Sequence, residues 1–142
     1  MKLIKEKKNL FTLDTRYSLA HCISADYSLS AGIAKEFQKR FHIKQDLNNM
    51  GNHIFPDCIL IEKHKRNIYN LVTKRYYYNK PNYGNLALSL ILMKNILISN
   101  DTKYLGIPKI GCGLDKLQWG NVEDIITKTF NDLDIEIRVC YL

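Results

Sequence analysis

Two glycines, Gly111 and Gly113, stand between a short apolar run and a long helical pattern. The run at residues 104–107 predicts a strand, and apolar residues recurring every three or four positions after Trp119 predict an amphipathic helix. In α/β proteins, ligands bind at loops that follow a strand in this way. Glycine permits a positive φ and lets backbone N–H groups approach a phosphate closely. With Asp115 in the same loop, the sequence predicts a site for a nucleotide-like ligand, although a plain tight turn has the same Gly-x-Gly spacing.

A second loop of small residues precedes another predicted helix. Residues 18–24 form an apolar run typical of a strand covered on both faces, and residues 26–34 begin with small and polar side chains. The helix that follows extends to about residue 41, with Ile33, Ala34 and Phe37 on its apolar face. Backbone amides at the start of a helix are available to an anion. This loop is therefore a second candidate for binding a negatively charged ligand.

The remaining patterns complete an alternation of strands and helices. Further strands are predicted at residues 1–6, 58–62, 67–73 and 135–141, and further helices at residues 45–50 and 83–98. The resulting order is β, β, α, α, β, β, α, β, α, β. It predicts an α/β fold with a mostly parallel sheet, helices on both faces and one domain spanning residues 1–142. The apolar stretch at residues 86–98 is interpreted as a buried helix.

Charge and cysteine distribution limit the partners and the compartment. Lys and Arg number 21 against 14 Asp and Glu, a net charge of +7 that favours an anionic partner such as a nucleotide, nucleic acid or acidic surface. The four cysteines are scattered, without a Cys-x-x-Cys pair or a histidine at metal-ligand spacing. We therefore expect a reducing, intracellular compartment, cytoplasmic or nuclear, and no structural zinc. No signal-like segment and no apolar run of roughly 18 residues is present, so we expect no membrane association.

Four sequence blocks are more specific together than any one of them alone. They are Leu-Ala-His-Cys-Ile-Ser at residues 19–24, Ala-Gly-Ile-Ala at residues 31–34, Thr73-Lys74, and Pro-Lys-Ile-Gly-Cys-Gly-Leu-Asp-Lys-Leu-Gln-Trp at residues 108–119. In this order they resemble the macrodomain family, and within it the branch of terminal ADP-ribose protein glycohydrolases. The resemblance implies a three-layer α/β/α macrodomain with a mixed, mostly parallel central sheet. It also implies an ADP-ribosyl hydrolase. We expect no metal and no other cofactor.

The resemblance implies that ADP-ribose lies across the C-terminal edge of the sheet. Its diphosphate would lie between the loops at residues 30–34 and 109–115. The adenine would contact Leu10 and Leu142, and the distal ribose would lie near Ser24 and Gly32. The implied binding residues are Asn9, Leu10, Ser24, Gly32, Ile33, Lys109, Ile110, Gly111, Cys112, Gly113, Leu114 and Leu142.

Two positions depart from the family pattern. Many macrodomains have a Gly-Asp pair after the first strand, and here Lys8-Asn9 occupies that place. The Asn9 carbonyl oxygen can still accept a hydrogen bond from the adenine amino group, but without a charge. Ser30 stands where close relatives have glycine, which could narrow the approach to the distal ribose. Both departures predict an altered affinity for ADP-ribose. Neither changes the chemistry of the reaction.

The same resemblance implies that Lys74 and Asp115 are the catalytic residues. Lys74 would attack the anomeric carbon of the distal ribose to form a covalent lysyl adduct that water resolves, with Asp115 as general acid and base. The reaction would remove mono-ADP-ribose from glutamate or aspartate side chains. An amine is nucleophilic only when deprotonated. Taken alone, Lys74 also fits a surface lysine, and Asp115 a carboxylate at a helix N-terminus.

Three other residues are interpreted as structural. Cys112 resembles a nucleophile between glycines, but no histidine-containing partner motif accompanies it, so a small packing residue is the better interpretation. His21, inside an apolar strand, is interpreted as a hydrogen-bonded core histidine. Trp119 is interpreted as a core anchor at the start of its helix.

Three functions remain open at this point. The first is hydrolysis of protein-linked ADP-ribose, the second is hydrolysis of ADP-ribose attached to DNA bases, and the third is binding of ADP-ribose without turnover. The expected partners are ADP-ribose and ADP-ribosylated protein or nucleic acid, bound by a monomer. A plain nucleic-acid-binding protein is the weakest alternative, because the aromatic residues form no recognisable platform for single strands.

Overall fold

The computed structural model describes residues 1–142, and its elements follow the predicted order. The strands are β1 (Lys2–Lys7), β2 (Ser18–Ser24), β3 (Asp57–Lys63), β4 (Arg66–Lys74), β5 (Tyr104–Ile107) and β6 (Glu136–Tyr141). The helices are α1 (Gly32–Phe41), α2 (Lys44–Met50), α3 (Tyr83–Ser99) and α4 (Trp119–Phe130). A short 3-10 helix (Leu10–Thr12) also forms after β1, where the Asn9 side chain accepts a hydrogen bond from the Phe11 amide. Each predicted strand and helix is therefore present, and only the ends of some elements differ.

The six strands form one mixed sheet in the order β1-β6-β5-β2-β4-β3. Every neighbouring pair is parallel except β3 and β4, which are antiparallel. The exception follows from the two-residue connection His64-Lys65, in which both residues have positive φ values (52° and 61°). Such a turn can join only adjacent antiparallel strands. The mostly parallel sheet predicted from the sequence is confirmed.

The helices cover both faces of the sheet and form the outer layers of an α/β/α arrangement. Helices α3 and α4 pack on one face, around a core that includes Leu90, Met93 and Ile126. Helices α1 and α2 pack on the opposite face, around Phe37 and Leu47. The fold class predicted from the sequence is therefore confirmed.

Helix α3 differs from the buried helix that its composition predicted. Its inner side is buried, but its outer side exposes four large apolar residues: Leu88, Ile91, Leu92 and Ile98. Because apolar residues occur all around this helix, the sequence pattern does not show which side faces the core. None of the helices in the structure has both the length and the apolar character needed to cross a membrane.

Candidate active site

A cleft opens where three neighbouring strands end. Strands β5, β2 and β4 are adjacent and parallel, so their carboxyl ends, at Ile107, Ser24 and Lys74, lie at one edge of the sheet. A cavity of about 410 Å³ lies at this edge, and residues of the two predicted binding loops line it. The loop before α1 and the loop before α4 thus face each other across one cavity. The C-terminal edge of the sheet is the position that the sequence predicted.

A β-bulge places Lys74 at the edge of this cavity. Ile23 of β2 lies opposite Val72 of β4, but the next residue, Ser24, lies opposite Lys74. Thr73 is therefore an additional residue in β4, just before the strand ends. A bulge bends its strand and changes the direction of the side chains that follow. The Lys74 ammonium consequently reaches the loop that precedes α4.

Lys74 and Asp115 form an ion pair inside the cleft. The Lys74 Nζ lies 2.6 Å from the Asp115 Oδ1, and the two side chains are 13% and 18% exposed. The residues are 41 positions apart in the chain. Dissolved salt screens an ion pair that is this shielded from water less than it screens a surface ion pair. The two residues predicted as catalytic are therefore in direct contact.

Backbone hydrogen bonds shape the loop that contains Asp115. The Leu117 amide donates to the Gly111 carbonyl over 2.7 Å, and the Lys116 amide donates to the Gly113 carbonyl over 3.2 Å. Gly111 has a φ of +73°, and a Cβ at this position would lie 2.9 Å from the Leu117 side chain. At Gly113 a Cβ would meet nothing within 4 Å. The requirement for a positive φ in this loop is thus met at Gly111.

The opposite loop brings the N-terminus of α1 to the cleft. Gly32 begins α1 with a φ of +60°, and a Cβ there would lie 3.2 Å from the Leu114 side chain. Leu114 extends from the facing loop and is 68% exposed. No side chain caps the N-terminus of α1. Its first-turn amides and the positive end of its dipole are thus suited to an anion.

A second cavity of about 500 Å³ adjoins the first and shares Ile33, Pro108 and Lys109 with it. The three residues predicted on the adenine side, Asn9, Leu10 and Leu142, all line this second cavity. Leu10 is largely buried, whereas Leu142 is almost fully exposed. The two cavities therefore form one continuous trough with Lys74 and Asp115 at one end.

The remaining predicted residues divide between the trough and the core. Ser24, Gly32, Ile33, Lys109, Ile110, Gly111, Gly113 and Leu114 line the first cavity. Cys112 instead packs against the core beneath α3 and α4, and its Sγ donates to the Ile110 carbonyl over 3.3 Å. Burial raises the pKa of the Cys112 thiol, which is the opposite of what a thiolate nucleophile needs. The interpretation of Cys112 as a packing residue is confirmed.

His21 and Trp119 also have the structural roles predicted for them. His21 is completely buried, and its Nε2 lies 2.6 Å from the Asn70 Oδ1. Burial lowers the pKa of His21 to about 4, so the imidazole is neutral near neutral pH. Its ring stacks on Phe37, with the centroids 3.8 Å apart. Trp119 begins α4 and packs against the core.

Sequence reasoning did not identify two residues that shape the cleft. Tyr77 lines the first cavity three positions after Lys74, and Asp26 accepts a hydrogen bond from the Tyr77 amide over 2.9 Å. The Ser28 amide donates a hydrogen bond to the Asp26 side chain, as in a typical aspartate turn. An aspartate at this position could have indicated that the loop before α1 is ordered. No sequence pattern indicates the contact with Tyr77, because it joins residues 51 positions apart.

Solved macrodomain structures have the same arrangement. The macrodomain of Mycobacterium tuberculosis DarG superimposes with a TM-score of 0.88 at 17% identity, over 99% of this chain and 97% of that one. Thermosipho africanus DarTG in complex with ADP-ribose gives a TM-score of 0.83 at 19% identity, over 99% of this chain and 42% of that one. No protein-family model matches the chain. The fold is thus that of a macrodomain.

Sequence relatives define the family more narrowly. The human ADP-ribose glycohydrolase OARD1 is 42% identical over 133 residues, which cover 94% of this chain and 87% of the relative. The bovine protein of the same name matches with the same identity and the same coverage. The chain therefore belongs to the macrodomain family of ADP-ribose glycohydrolases.

Proposed function

We propose that this protein is a hydrolase that binds ADP-ribose in the trough and releases it from glutamate or aspartate side chains of modified proteins. The observation that supports this most is the short, shielded Lys74–Asp115 ion pair at one end of the trough. Family membership supports hydrolysis of an ADP-ribose linkage, since the human relative is named an ADP-ribose glycohydrolase.

The shape and charge of the trough support ADP-ribose as the ligand. A diphosphate between the two loops would meet the uncapped N-terminus of α1 on one side and the backbone of residues 109–115 on the other. The adenine would occupy the second cavity, where Leu10 and Leu142 supply apolar surface. The distal ribose would then reach Ser24 and the Lys74–Asp115 pair. The net charge of +7 favours encounter with an anionic ligand.

The ion pair provides a nucleophile and a proton acceptor in contact. Asp115 takes a proton from the Lys74 ammonium, and the neutral amine attacks the anomeric carbon of the distal ribose. The bond from that carbon to the ester oxygen breaks, and the acceptor leaves as a carboxylate. A water molecule then adds its hydroxyl to the anomeric carbon, the carbon–nitrogen bond breaks, and the nitrogen takes the proton of the water. Asp115 then releases to solvent the proton that it took from Lys74, so free ADP-ribose, the Lys74 ammonium and the Asp115 carboxylate result.

Release of ADP-ribose from a protein modified on glutamate tests this proposal. We expect Lys74→Ala and Asp115→Ala each to slow release by at least about 100-fold while still binding free ADP-ribose in calorimetry. Lys63→Ala is a matched control, because Lys63 forms an ion pair of similar length (2.7 Å) with Asp46 outside the cleft. The control should retain wild-type release.

Two outcomes would contradict the proposal. Release by Lys74→Ala at the wild-type rate would exclude Lys74 as the nucleophile. Binding of ADP-ribose by the wild type without any release would leave a binding protein for ADP-ribose, if modified nucleic acid is also not hydrolysed.

A second candidate substrate is ADP-ribose attached to a nucleic-acid base. Tyr76, Tyr77 and Tyr78 follow Lys74 closely and are 44%, 60% and 70% exposed. The rings of Tyr76 and Tyr78 are stacked, with centroids 5.4 Å apart and planes within 7°. Lys80 follows them in the sequence. Exposed aromatic rings in a positively charged surface can stack on unpaired bases. The aromatic residues thus form a surface that the sequence did not reveal.

Comparing the two substrates in a Tyr78→Ala variant tests this alternative. If the acceptor is a base, turnover of modified single-stranded DNA should fall several-fold, because base stacking contributes about 1 to 3 kcal/mol per base. Turnover of modified protein should stay unchanged. Equal activity of wild type and variant on the DNA substrate would argue against a role for this surface.

A further inference from the structure

Asp26 connects three residues of the cleft without lining the cleft itself. Its Oδ1 accepts hydrogen bonds from the Ser24 hydroxyl over 2.5 Å and from the Ser28 amide over 3.1 Å. Its Oδ2 accepts a hydrogen bond from the Tyr77 amide over 2.9 Å. All three donors line the first cavity, and Asp26 does not. Both carboxylate oxygens are therefore used to hold the walls of the cleft.

The backbone around Asp26 also holds the chain that follows Lys74. The Ala25 amide donates to the Lys74 carbonyl over 2.8 Å, and the Asp26 amide donates to the Arg75 carbonyl over 3.1 Å. The bulge at Thr73 lies immediately before Lys74. Lys74 is thus fixed by the bulge on one side and by residues 25 and 26 on the other.

We propose that Asp26 is a positioning residue that holds residues 74–77 so that the Lys74 amine is directed at the distal ribose. This inference rests on the proposed hydrolase function. The carboxylate is the group best suited to the task, because it can accept several hydrogen bonds while donating none. Bonds of this kind to a charged acceptor are among the stronger hydrogen bonds in proteins. Misdirection of a reacting group by as little as about 1 Å can cost a large part of the rate.

The ionisation of Asp26 is consistent with this role. Burial raises the pKa of Asp26, but the hydrogen bonds from Ser24 and from the amides of Tyr77 and Ser28 outweigh it. The pKa therefore lies below its ordinary value, and the carboxylate stays charged around neutral pH. All three hydrogen bonds are available under those conditions.

Asp26→Asn removes one of the three side-chain hydrogen bonds and can keep the other two. Its side-chain oxygen can keep the bonds from Ser24 and Ser28, but its NH₂ group would face the Tyr77 amide, and two donors cannot bond each other. Asp26→Ser is a second variant, because a serine hydroxyl can accept the bond from Ser28 but is too short to replace both carboxylate oxygens. The matched control is Asp14→Asn. Asp14 accepts the Arg16 amide over 3.1 Å in a similar turn that lies away from the cleft.

The test measures kcat for ADP-ribose release and the Kd of free ADP-ribose for these variants, after thermal unfolding shows that each is folded at the assay temperature. We expect kcat to fall by about tenfold in Asp26→Asn and in Asp26→Ser, with Kd within about twofold of the wild type. Asp14→Asn should match the wild type in both quantities. A residue needed only for stability would leave kcat of the folded variant unchanged.

The outcomes distinguish this inference from the proposed function. Wild-type kcat in both Asp26 variants would overturn the positioning role and leave the hydrolase intact. A parallel loss of kcat and ADP-ribose affinity would also overturn it, since Asp26 would then shape the ligand site as a whole. If the wild type itself releases no ADP-ribose, the proposed function fails, and the positioning role fails with it.

Discussion

Gly111 and Gly113 belong to the same loop, yet a side chain would meet different surroundings at each. Gly111 combines a φ of +73° with the Leu117 side chain 2.9 Å from a Cβ, whereas a Cβ at Gly113 has open space. We therefore expect Gly111→Ala to lower the free energy of unfolding by about 1 to 2 kcal/mol, since a non-glycine residue is strained in this conformation. Gly113→Ala should change it by less than about 0.5 kcal/mol.

Urea unfolding of the ligand-free protein measures both changes. Ligand-free conditions matter, because a Cβ at either glycine could also contact a bound diphosphate. Equal losses for the two variants would contradict the assignment of the positive-φ requirement to Gly111.

His21 predicts how stability responds to acid. Burial lowers the pKa of His21 to about 4 in the folded state, whereas an unfolded histidine has a pKa near 6.5. The unfolded chain therefore takes up a proton first as the pH falls, and the folded state loses stability between about pH 6.5 and pH 4. The loss between about pH 7 and pH 4.5 should be about 2 kcal/mol from this residue.

The matched variant is His21→Gln, which can still donate a hydrogen bond to Asn70 but does not titrate. Urea unfolding at both pH values should show a smaller acid-induced loss in the variant than in the wild type. Identical losses in the two proteins would show that His21 is protonated in the folded state or does not limit acid stability.

At the scale of elements, α3 depends on the residue that precedes it. Two asparagines, Asn79 and Asn82, stand shortly before α3, and the Asn82 side chain accepts a hydrogen bond from the Asn85 amide over 2.7 Å. Asn79 instead accepts one from the Tyr76 amide in the preceding loop. We expect Asn82→Ala to cost about 1 kcal/mol of unfolding free energy, and Asn82→Asp to cost much less because aspartate also caps helices.

Thermal and urea unfolding of the two variants measure this difference. Helix α3 covers β3 and β4, the hairpin that ends at Lys74, so a weakened α3 affects the layer behind the cleft. An Asn82→Asp variant as unstable as Asn82→Ala would contradict the capping role.

At the scale of the whole molecule, local sequence patterns were sufficient to predict the layers of the fold and the position of the cleft. Strand and helix periods are properties of neighbouring residues, so the element order was visible in the sequence, and parallel strands then brought the loops at residues 30–34 and 109–115 to one edge. The prediction that Lys74 and Asp115 are catalytic came from the family resemblance. Neither periodicity nor composition distinguishes them from other charged residues.

Features that depend on pairing between distant segments were not visible in the sequence. The bulge at Thr73 exists only in the register between β2 and β4, and the contact from Asp26 to Tyr77 joins segments that are far apart in the chain. The exposed side of α3 and the stacking of Tyr76 on Tyr78 likewise depend on which neighbours the fold supplies. Of these features, the bulge before Lys74 and the Asp26–Tyr77 contact lie beside the cleft, so part of its surroundings could not be predicted from local sequence patterns.

The most direct test of the Lys74–Asp115 mechanism is to trap the lysyl adduct during turnover. Cyanoborohydride reduces the imine that a sugar–lysine adduct forms on ring opening, and this leaves a stable carbon–nitrogen bond. We predict that the wild type, incubated with glutamate-linked substrate and this reductant, gains one ADP-ribose in its intact mass, and that peptide mapping places it on Lys74. Steady release of ADP-ribose with no adduct, or with an adduct on another lysine that Lys74→Ala retains, would contradict the mechanism.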